Sequence, residues 1–177
     1  QKLHAPSYIY KAKIEGDFSL ADLPNAFTFF LNKYYPSYVK APKRYPKNQD
    51  IKFNITTYYA DEYLQLIDSS LTGFNNSHFE GNLNLARNEL NFTAEVPQFK
   101  FRQYNFDEVK LSAKGNSDSL VLTGETKNIR INDSLNIPFT FFTVNAKSDS
   151  SKVSINTSAN QTVEKADINA LVLTYND

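Results

Sequence analysis

The residues of this chain that could perform acid–base or nucleophilic chemistry are few and scattered. There are two histidines, His4 and His78. Ser77 and Glu80 lie close to His78, but Ser-His-acid catalysis requires an imidazole held between a hydroxyl and a carboxylate. His78 instead occupies a polar position of an alternating segment, which is typical of the solvent side of a strand. We therefore expect a surface histidine and not a catalytic one.

Neighbouring acids offer a second route to catalysis, because glycosidases use two carboxyl groups. Glu15 with Asp17, and Asp61 with Glu62, are the pairs that come closest to this requirement. The first pair ends a predicted strand. The second begins a predicted helix, where the helix dipole favours acidic side chains. Both positions are explained by structure, so neither pair indicates a catalytic site.

Metal and phosphate sites have no convincing signature. Segments 116–118 and 149–151 are acidic, but they lack the central Gly and terminal Glu of a calcium-binding EF-hand loop and are predicted to be hairpin turns. The chain has no Cys and only five Gly, which removes thiolate chemistry and Gly-rich phosphate loops. We predict a protein that is not an enzyme and that has no cofactor and no metal.

The charge balance and the missing residue types narrow the class of protein further. Nineteen basic residues are matched by nineteen acidic residues, so the net charge gives no reason to expect nucleic acid as a partner. The absence of Met predicts that the sequence is an internal piece of a longer polypeptide. No run of about 18 apolar residues is present, so any membrane anchor is expected in the remainder of the parent protein.

The elements that must position any site divide the chain into two parts. Residues 76–177 alternate between apolar and polar residues, with turn signals roughly every 8 to 12 residues, which predicts an antiparallel β-meander. Pro97 is expected to end one strand, and Phe141-Phe142 to mark a change of face within another. Turns are predicted at 86–88, 116–119 and 132–134.

Residues 1–75 are predicted to form strand–helix units of the same fold. Strands are expected around residues 8–14 and 51–55. A first helix over 20–35 would be capped by Asp22 or Ser19, with Pro24 in its first turn and Pro36 at its end. Residues 36–50 are rich in Pro and Lys and are expected to form a solvated loop.

A second short helix is predicted after the second strand. Tyr63, Leu64 and Ile67 form its apolar side, and Asp61 caps it. The fold class expected overall is mainly β: an elongated, curved antiparallel sheet with two short α-helices in its N-terminal part.

The apolar face of this sheet must be covered by something. It could close on itself as a β-sandwich, or stay open and bind a long apolar ligand, and composition does not separate the two. Each buried methylene of an acyl chain contributes about 0.8 kcal/mol, so such a face can bind lipid without specific polar contacts. The residues predicted to line it are Phe79, Leu83, Leu85, Leu90, Phe92, Val96, Val109, Leu111, Leu120, Leu122, Val153 and Ile155.

Two long segments resemble a known family. They are FNNSHFEGNLNLARNELNFTAEVPQFKFRQYNFDEVKLSAKGNSDSLVLTGETKNIRINDSLNIP (74–138) and VSINTSANQTVEKADINALVLT (153–174), and the preceding ITTYYADEYLQLIDSSLTGF belongs with them. The two long segments resemble the repeats of TamB-like proteins, in the AsmA/TamB group of Gram-negative envelope proteins, and the preceding one is similar to the segment that commonly comes before such repeats. The likeness is one of strand and turn pattern, without invariant catalytic residues.

The resemblance implies a location, a function and partners. Such proteins are anchored in the inner membrane by an N-terminal helix and span the periplasm as a β-groove with an apolar interior. They are implicated in moving phospholipid between the two membranes, and in outer-membrane protein assembly beside an Omp85-type barrel. On this basis we expect phospholipid acyl chains along the apolar face, with headgroups at its solvated edge.

Two further expectations remain open. The alternative function is a β-sandwich that binds carbohydrate or protein through exposed tyrosines such as Tyr58, Tyr59 and Tyr104. In either case, exposed strand edges could pair two copies of the chain into a dimer.

Overall fold

A computed structural model of the chain describes residues 10–46, 49–61, 64–65, 68–132, 135–160 and 164–174. The helix α1 (Leu23–Asn32) is described over its whole length, and a 3-10 turn (Leu20–Asp22) precedes it. Residues 61 and 64–65 are also helical. The strands are β1 (Tyr10–Asp17), β2 (Asp50–Thr57), β3 (Leu71–Gly73), β4 (His78–Asn84), β5 (Glu89–Phe101), β6 (Tyr104–Gly115), β7 (Leu120–Thr126), β8 (Asn128–Arg130), β9 (Asn136–Ile137), β10 (Thr140–Lys147), β11 (Ser150–Thr157) and β12 (Ala166–Leu173).

The described strands form one open antiparallel sheet, in the order β1-β2-β4-β5-β6-β7-β10-β11-β12. The short strands β3, β8 and β9 pair at its sides. Because the nine strands of this order succeed one another in chain order, with only the short strands between them in sequence, the predicted mainly-β, antiparallel meander is confirmed. The strands form a single sheet, not the two packed sheets of a sandwich.

Tight turns set the register of this meander. Asn116 closes the β6–β7 turn, because its Oδ1 accepts hydrogen bonds from the backbone N–H groups of Asp118 and Ser119 at 2.8 and 3.0 Å. Ser148 and Asp149, between β10 and β11, both have positive φ, of 47° and 60°. Two consecutive residues of this kind match the twist of a two-residue hairpin. The turn predicted at 132–134 lies partly outside the described residues.

Helix α1 is shorter than predicted and begins differently. Pro24 lies in its first turn as expected, but neither Asp22 nor Ser19 makes a side-chain cap. The backbone N–H of Ser19 instead donates to Oε1 of Gln49 at 2.8 Å. The side chain of Gln49, the residue before β2, therefore makes the polar contact in front of the helix. The predicted cap is wrong. Turns follow the helix before Pro36.

The second predicted helix falls mostly on residues that the structure does not describe, including Tyr63 and Ile67. Around it, the N–H of Leu64 donates to the carbonyl of Ala60 at 3.0 Å, a helical hydrogen bond. The Asp61 carboxylate accepts hydrogen bonds from the N–H of Gly73 and from Nδ2 of Asn75. These contacts fasten the segment after β2 to the strand β3.

The main core lies where α1 packs on one end of the sheet. Ala26 and Phe30 of α1, and Tyr34 in the turn that follows it, are almost completely buried. They share a cluster with residues from the ends of several strands, namely Ile51, Leu83, Leu85 and Ala146. Gly115 lies beneath the helix, where a Cβ would come within 2.6 Å of the Phe30 ring. The absence of a side chain at this position lets the helix approach the sheet closely.

Pro97 does not end a strand, contrary to the sequence prediction. β5 continues through it to Phe101. On one side, β5 pairs with β4 as far as Glu95 and with β3 from Phe99 onwards. Pro97 falls between these two neighbours, and its pair with Glu108 is also missing from the β5–β6 register. Opposite it on β6, Glu108 has a positive φ of 48°, so this level of the sheet is irregular on both strands.

The predicted change of face at Phe141-Phe142 is also wrong. β10 pairs without interruption with β7 and with β11. In an uninterrupted strand, successive side chains point to opposite sides. Phe142 therefore lies on the side of Val144 and Ala146, and Phe141 projects from the other side, where it is exposed.

Candidate functional site: the apolar face of the sheet

The register brings the predicted apolar residues to one side of the sheet. Residues directly opposite each other in an antiparallel pair share a side. This rule connects Leu83 with Leu90, and Leu122 with Val144 and then Val153. The remaining candidates are connected in the same way, namely Phe79, Phe92, Val96, Val109, Leu111, Leu120 and Ile155. Leu85 follows β4 and continues the pairing, since its N–H donates to the carbonyl of Gln49 at 2.9 Å.

Two parallel rows of these residues cross the sheet at right angles to the strands. The first row runs from β5 to β12 through Phe92, Ala113, Leu122, Val144, Val153 and Ala170. The second runs through Ala94, Leu111, Gly124, Phe142, Ile155 and Ile168 on the same strands. We call this side the apolar face.

Helix α1 closes one end of the apolar face. Leu83 and Leu85 are buried beneath it, and Leu90 and Leu120 pack against the same cluster. These four residues therefore belong to the core under the helix. Leu83 and Leu85 offer no surface to a ligand, whereas Leu90 and Leu120 are half-buried.

Polar contacts hold the helix end and the segment after it against the turns of the sheet. The Tyr34 hydroxyl donates to the carbonyl of Asn116. The hydroxyls of Tyr35 and Ser151 lie 2.8 Å apart. The Asp149 carboxylate accepts hydrogen bonds from the N–H and the hydroxyl of Ser37, both at 2.9 Å. Burial raises the pKa of Tyr34 to about 12; the Asn116 hydrogen bond opposes this rise and the Asp118 charge adds to it.

Away from the helix, the apolar face is only partly covered. Phe92, Leu111, Leu122, Val153 and Ile155 are all half-buried. Each row also contains small residues, such as Ala113 in the first and Gly124 in the second. At Gly124 a Cβ would lie 2.3 Å from the Phe142 ring, so this ring occupies the space of a side chain at that position. The sheet covers part of its own apolar surface with such rings.

A row of phenylalanine rings at the end opposite α1 was not among the sequence candidates. Phe74 stacks on Phe79 and on Phe99, with centroids 6.4 and 5.0 Å apart, and Phe99 stacks on Phe106 at 4.6 Å. The signal for it was a shift in alternation within β5, where apolar residues occupy even positions before Pro97, such as Phe92, and odd positions after it, at Phe99 and Phe101. Phe74 lies outside any strand and carried no periodic signal.

The opposite face of the sheet is polar. It carries exposed ion pairs such as Lys13–Glu15 at 2.9 Å and Lys110–Glu125 at 3.3 Å. A shallow depression of about 570 Å³ lies on this side, among Lys11, Lys13, Glu15, Lys52, Asn54, Glu80, Asn82, Asn91 and Thr93. His78 lies on the same face, with Nδ1 3.1 Å from the Thr56 hydroxyl, as expected for a surface histidine.

The tyrosines of the alternative function lie on different parts of the sheet. Tyr58 and Tyr59 follow β2 and are exposed, whereas Tyr104 is half-buried at the start of β6. Within the described ranges, no three His, Asp or Glu side chains are close enough together to hold a metal ion.

None of the helices in the described part of the chain is both long and apolar enough to cross a membrane. No family model matches the chain, and neither a curated protein nor a solved structure is similar to it.

Proposed function

We propose that this chain is a non-enzymatic segment of a TamB/AsmA-like protein and that its apolar face binds phospholipid acyl chains. The observation that carries the proposal is the continuity of that face. Apolar or small side chains occupy one side of every long strand, and α1 covers only one end of it. A monomeric soluble protein rarely leaves a contiguous apolar surface of this kind without an interaction partner.

The binding mode follows from the two rows. An acyl chain lying across the strands would contact the residues of the first row in turn, from Phe92 through Leu122 to Val153. Each methylene removed from water contributes about 0.8 kcal/mol. Headgroups would remain at the rim, next to solvent. The curved shape of the sheet, a periplasmic location, an inner-membrane anchor and an Omp85-type partner belong to this proposal and rest on the family resemblance.

The first test is whether the protein carries lipid. Lipids extracted from natively purified protein would be identified by mass spectrometry. We expect phospholipid at a reproducible ratio to protein, which should fall after delipidation and return on incubation with vesicles. Protein that never retains phospholipid under either condition would contradict the proposal.

The second test compares two aspartates one residue apart. Phe92→Asp puts a charge on the apolar face, and Asn91→Asp puts the same charge on the exposed polar face of the same strand. With a photoactivatable phospholipid, we expect cross-linking to be lost in Phe92→Asp and retained in Asn91→Asp. Val153→Asp, nearer the sheet edge, provides a second variant if Phe92→Asp fails to fold. Equal cross-linking in folded variants would overturn the assignment of the face.

A further inference from the structure

The strand β12 forms one edge of the sheet and carries apolar residues on both of its sides. Its sequence, ADINALVL, has a single charged residue, Asp167. Ile168 and Val172 lie on the apolar face, and Leu171 and Leu173 on the polar face. Leu171 is 61 % exposed and Leu173 is 49 % exposed. Strands that are apolar on both sides are normally buried on both sides and have neighbours at both edges.

The backbone groups that β12 presents at the open edge can be identified. The N–H of Thr174 donates to the Asp149 carbonyl at 2.8 Å, and the N–H of Ala166 donates to the Thr157 hydroxyl at 3.1 Å. Even-numbered residues therefore direct their backbone groups toward β11. Because these directions alternate along a strand, the N–H and C=O groups of Asp167, Asn169, Leu171 and Leu173 point outward.

The other edge of the sheet has the opposite character. β1 carries Lys11, Lys13, Glu15 and Asp17, and charged side chains on an edge strand disfavour pairing with another chain. Pairing β1 of one copy with β12 of another would set these charges beside Leu171 and Leu173. The two edges are therefore not complementary to each other.

We propose that β12 is a self-association edge, at which the β12 strands of two copies pair antiparallel about a two-fold axis perpendicular to the sheet. In the register that pairs the full length of both strands, Ala170 of one copy lies opposite Ala170 of the other. Ile168 then faces Val172 on the apolar side. On the other side, Leu171 faces Asn169 and Leu173 faces Asp167. The outward backbone groups of all four odd-numbered residues find partners, and the apolar face continues from one copy into the other.

A second copy is the occupant that the charge and the symmetry favour. The chain has no net charge at pH 7, so copies do not repel each other at long range. A two-fold interface uses the same patch on both partners, and β12 is self-complementary in the register given above. The inference does not depend on lipid binding.

The register predicts a specific cross-link. The chain has no Cys, so Ala170→Cys introduces a single thiol. The pair of residues at the axis is not hydrogen-bonded, with Cα atoms about 4.5 Å apart, which lies within the range for a disulfide. We expect Ala170→Cys to form disulfide-linked dimers under mild oxidation. Ala12→Cys, on the exposed edge strand β1, is the matched control and should remain monomeric.

A charge at the edge should remove the association. Sedimentation of the unmodified chain should give twice the 20.2 kDa mass of one copy. Leu171→Lys should restore the single mass, whereas Ile14→Lys, at an exposed apolar position of β1, should not. A monomeric unmodified chain with no cross-linking of Ala170→Cys would overturn the proposal, whether or not the protein binds lipid. Equal cross-linking of Ala12→Cys would also overturn it.

Discussion

Tyr34 shows how one side chain links the helix to the sheet and makes stability depend on pH. It is almost completely buried, and burial is the main reason that its pKa rises to about 12. The folded state therefore holds the phenol proton more tightly than the unfolded state does, where the pKa is about 10. The resulting stabilisation is complete below pH 10, and it is lost as the pH rises from 10 to about 12.

We expect this single group to contribute roughly 2–3 kcal/mol to the loss of unfolding free energy across that interval. Other tyrosines and lysines titrate there too, so the informative quantity is the difference between variants. Urea unfolding at pH 8 and pH 11.5 should show a smaller pH dependence in Tyr34→Phe than in the unmodified chain. Tyr38→Phe, at an exposed tyrosine, is the control. Identical slopes for Tyr34→Phe and the unmodified chain would contradict the assignment.

At the scale of the element, α1 depends on the residues of one buried side. Phe30 is completely buried, whereas Phe27 is 41 % exposed on the same helix. Phe30→Ala should reduce the free energy of unfolding by about 3–5 kcal/mol, because it removes a buried ring and leaves a cavity. Phe27→Ala should change it by about 0.5 kcal/mol or less. Chemical denaturation followed by circular dichroism measures both, and equal losses would show that α1 is not packed as described.

The elements that the sequence predicted well are those governed by local rules. Alternation and turn residues such as Asn116 act over a few positions, so β4, β11 and the β6–β7 turn were predictable. Pro97 was misjudged because its effect depends on which neighbours flank β5 at that level, and neighbours are set by the whole sheet. The cap of α1 failed for a similar reason, since Gln49 reaches Ser19 from a distant part of the chain.

The candidate site was predictable in composition but not in accessibility. Alternation was enough to assign the candidate residues to one side. It could not show that Leu83 and Leu85 lie under α1, because helix docking is a long-range contact. It also missed the ring row around Phe74, which follows from the irregular level at Pro97.

At the scale of the whole molecule, the sheet is asymmetric in three respects. One face is apolar and the other polar, one end of the apolar face is closed by α1, and one edge strand carries four charged residues while the other carries one. The lipid and self-association proposals use different parts of this asymmetry, the apolar face and the edge formed by β12. Pairing at β12 would also join two apolar faces, which would double the length available to a ligand lying across the strands.

Amide hydrogen exchange tests this arrangement at single-residue resolution. In the monomer, the N–H groups of Asp167, Asn169, Leu171 and Leu173 point away from β11 and should exchange fast. Those of Ile168, Ala170 and Val172 are bonded to β11 and should exchange more slowly, so protection along β12 should alternate. Raising the protein concentration should slow exchange at the odd-numbered residues only, because pairing gives those N–H groups an acceptor. Leu171→Lys should keep the alternating pattern at every concentration. Uniform exchange along β12 would contradict both the backbone orientation and the pairing that follows from it.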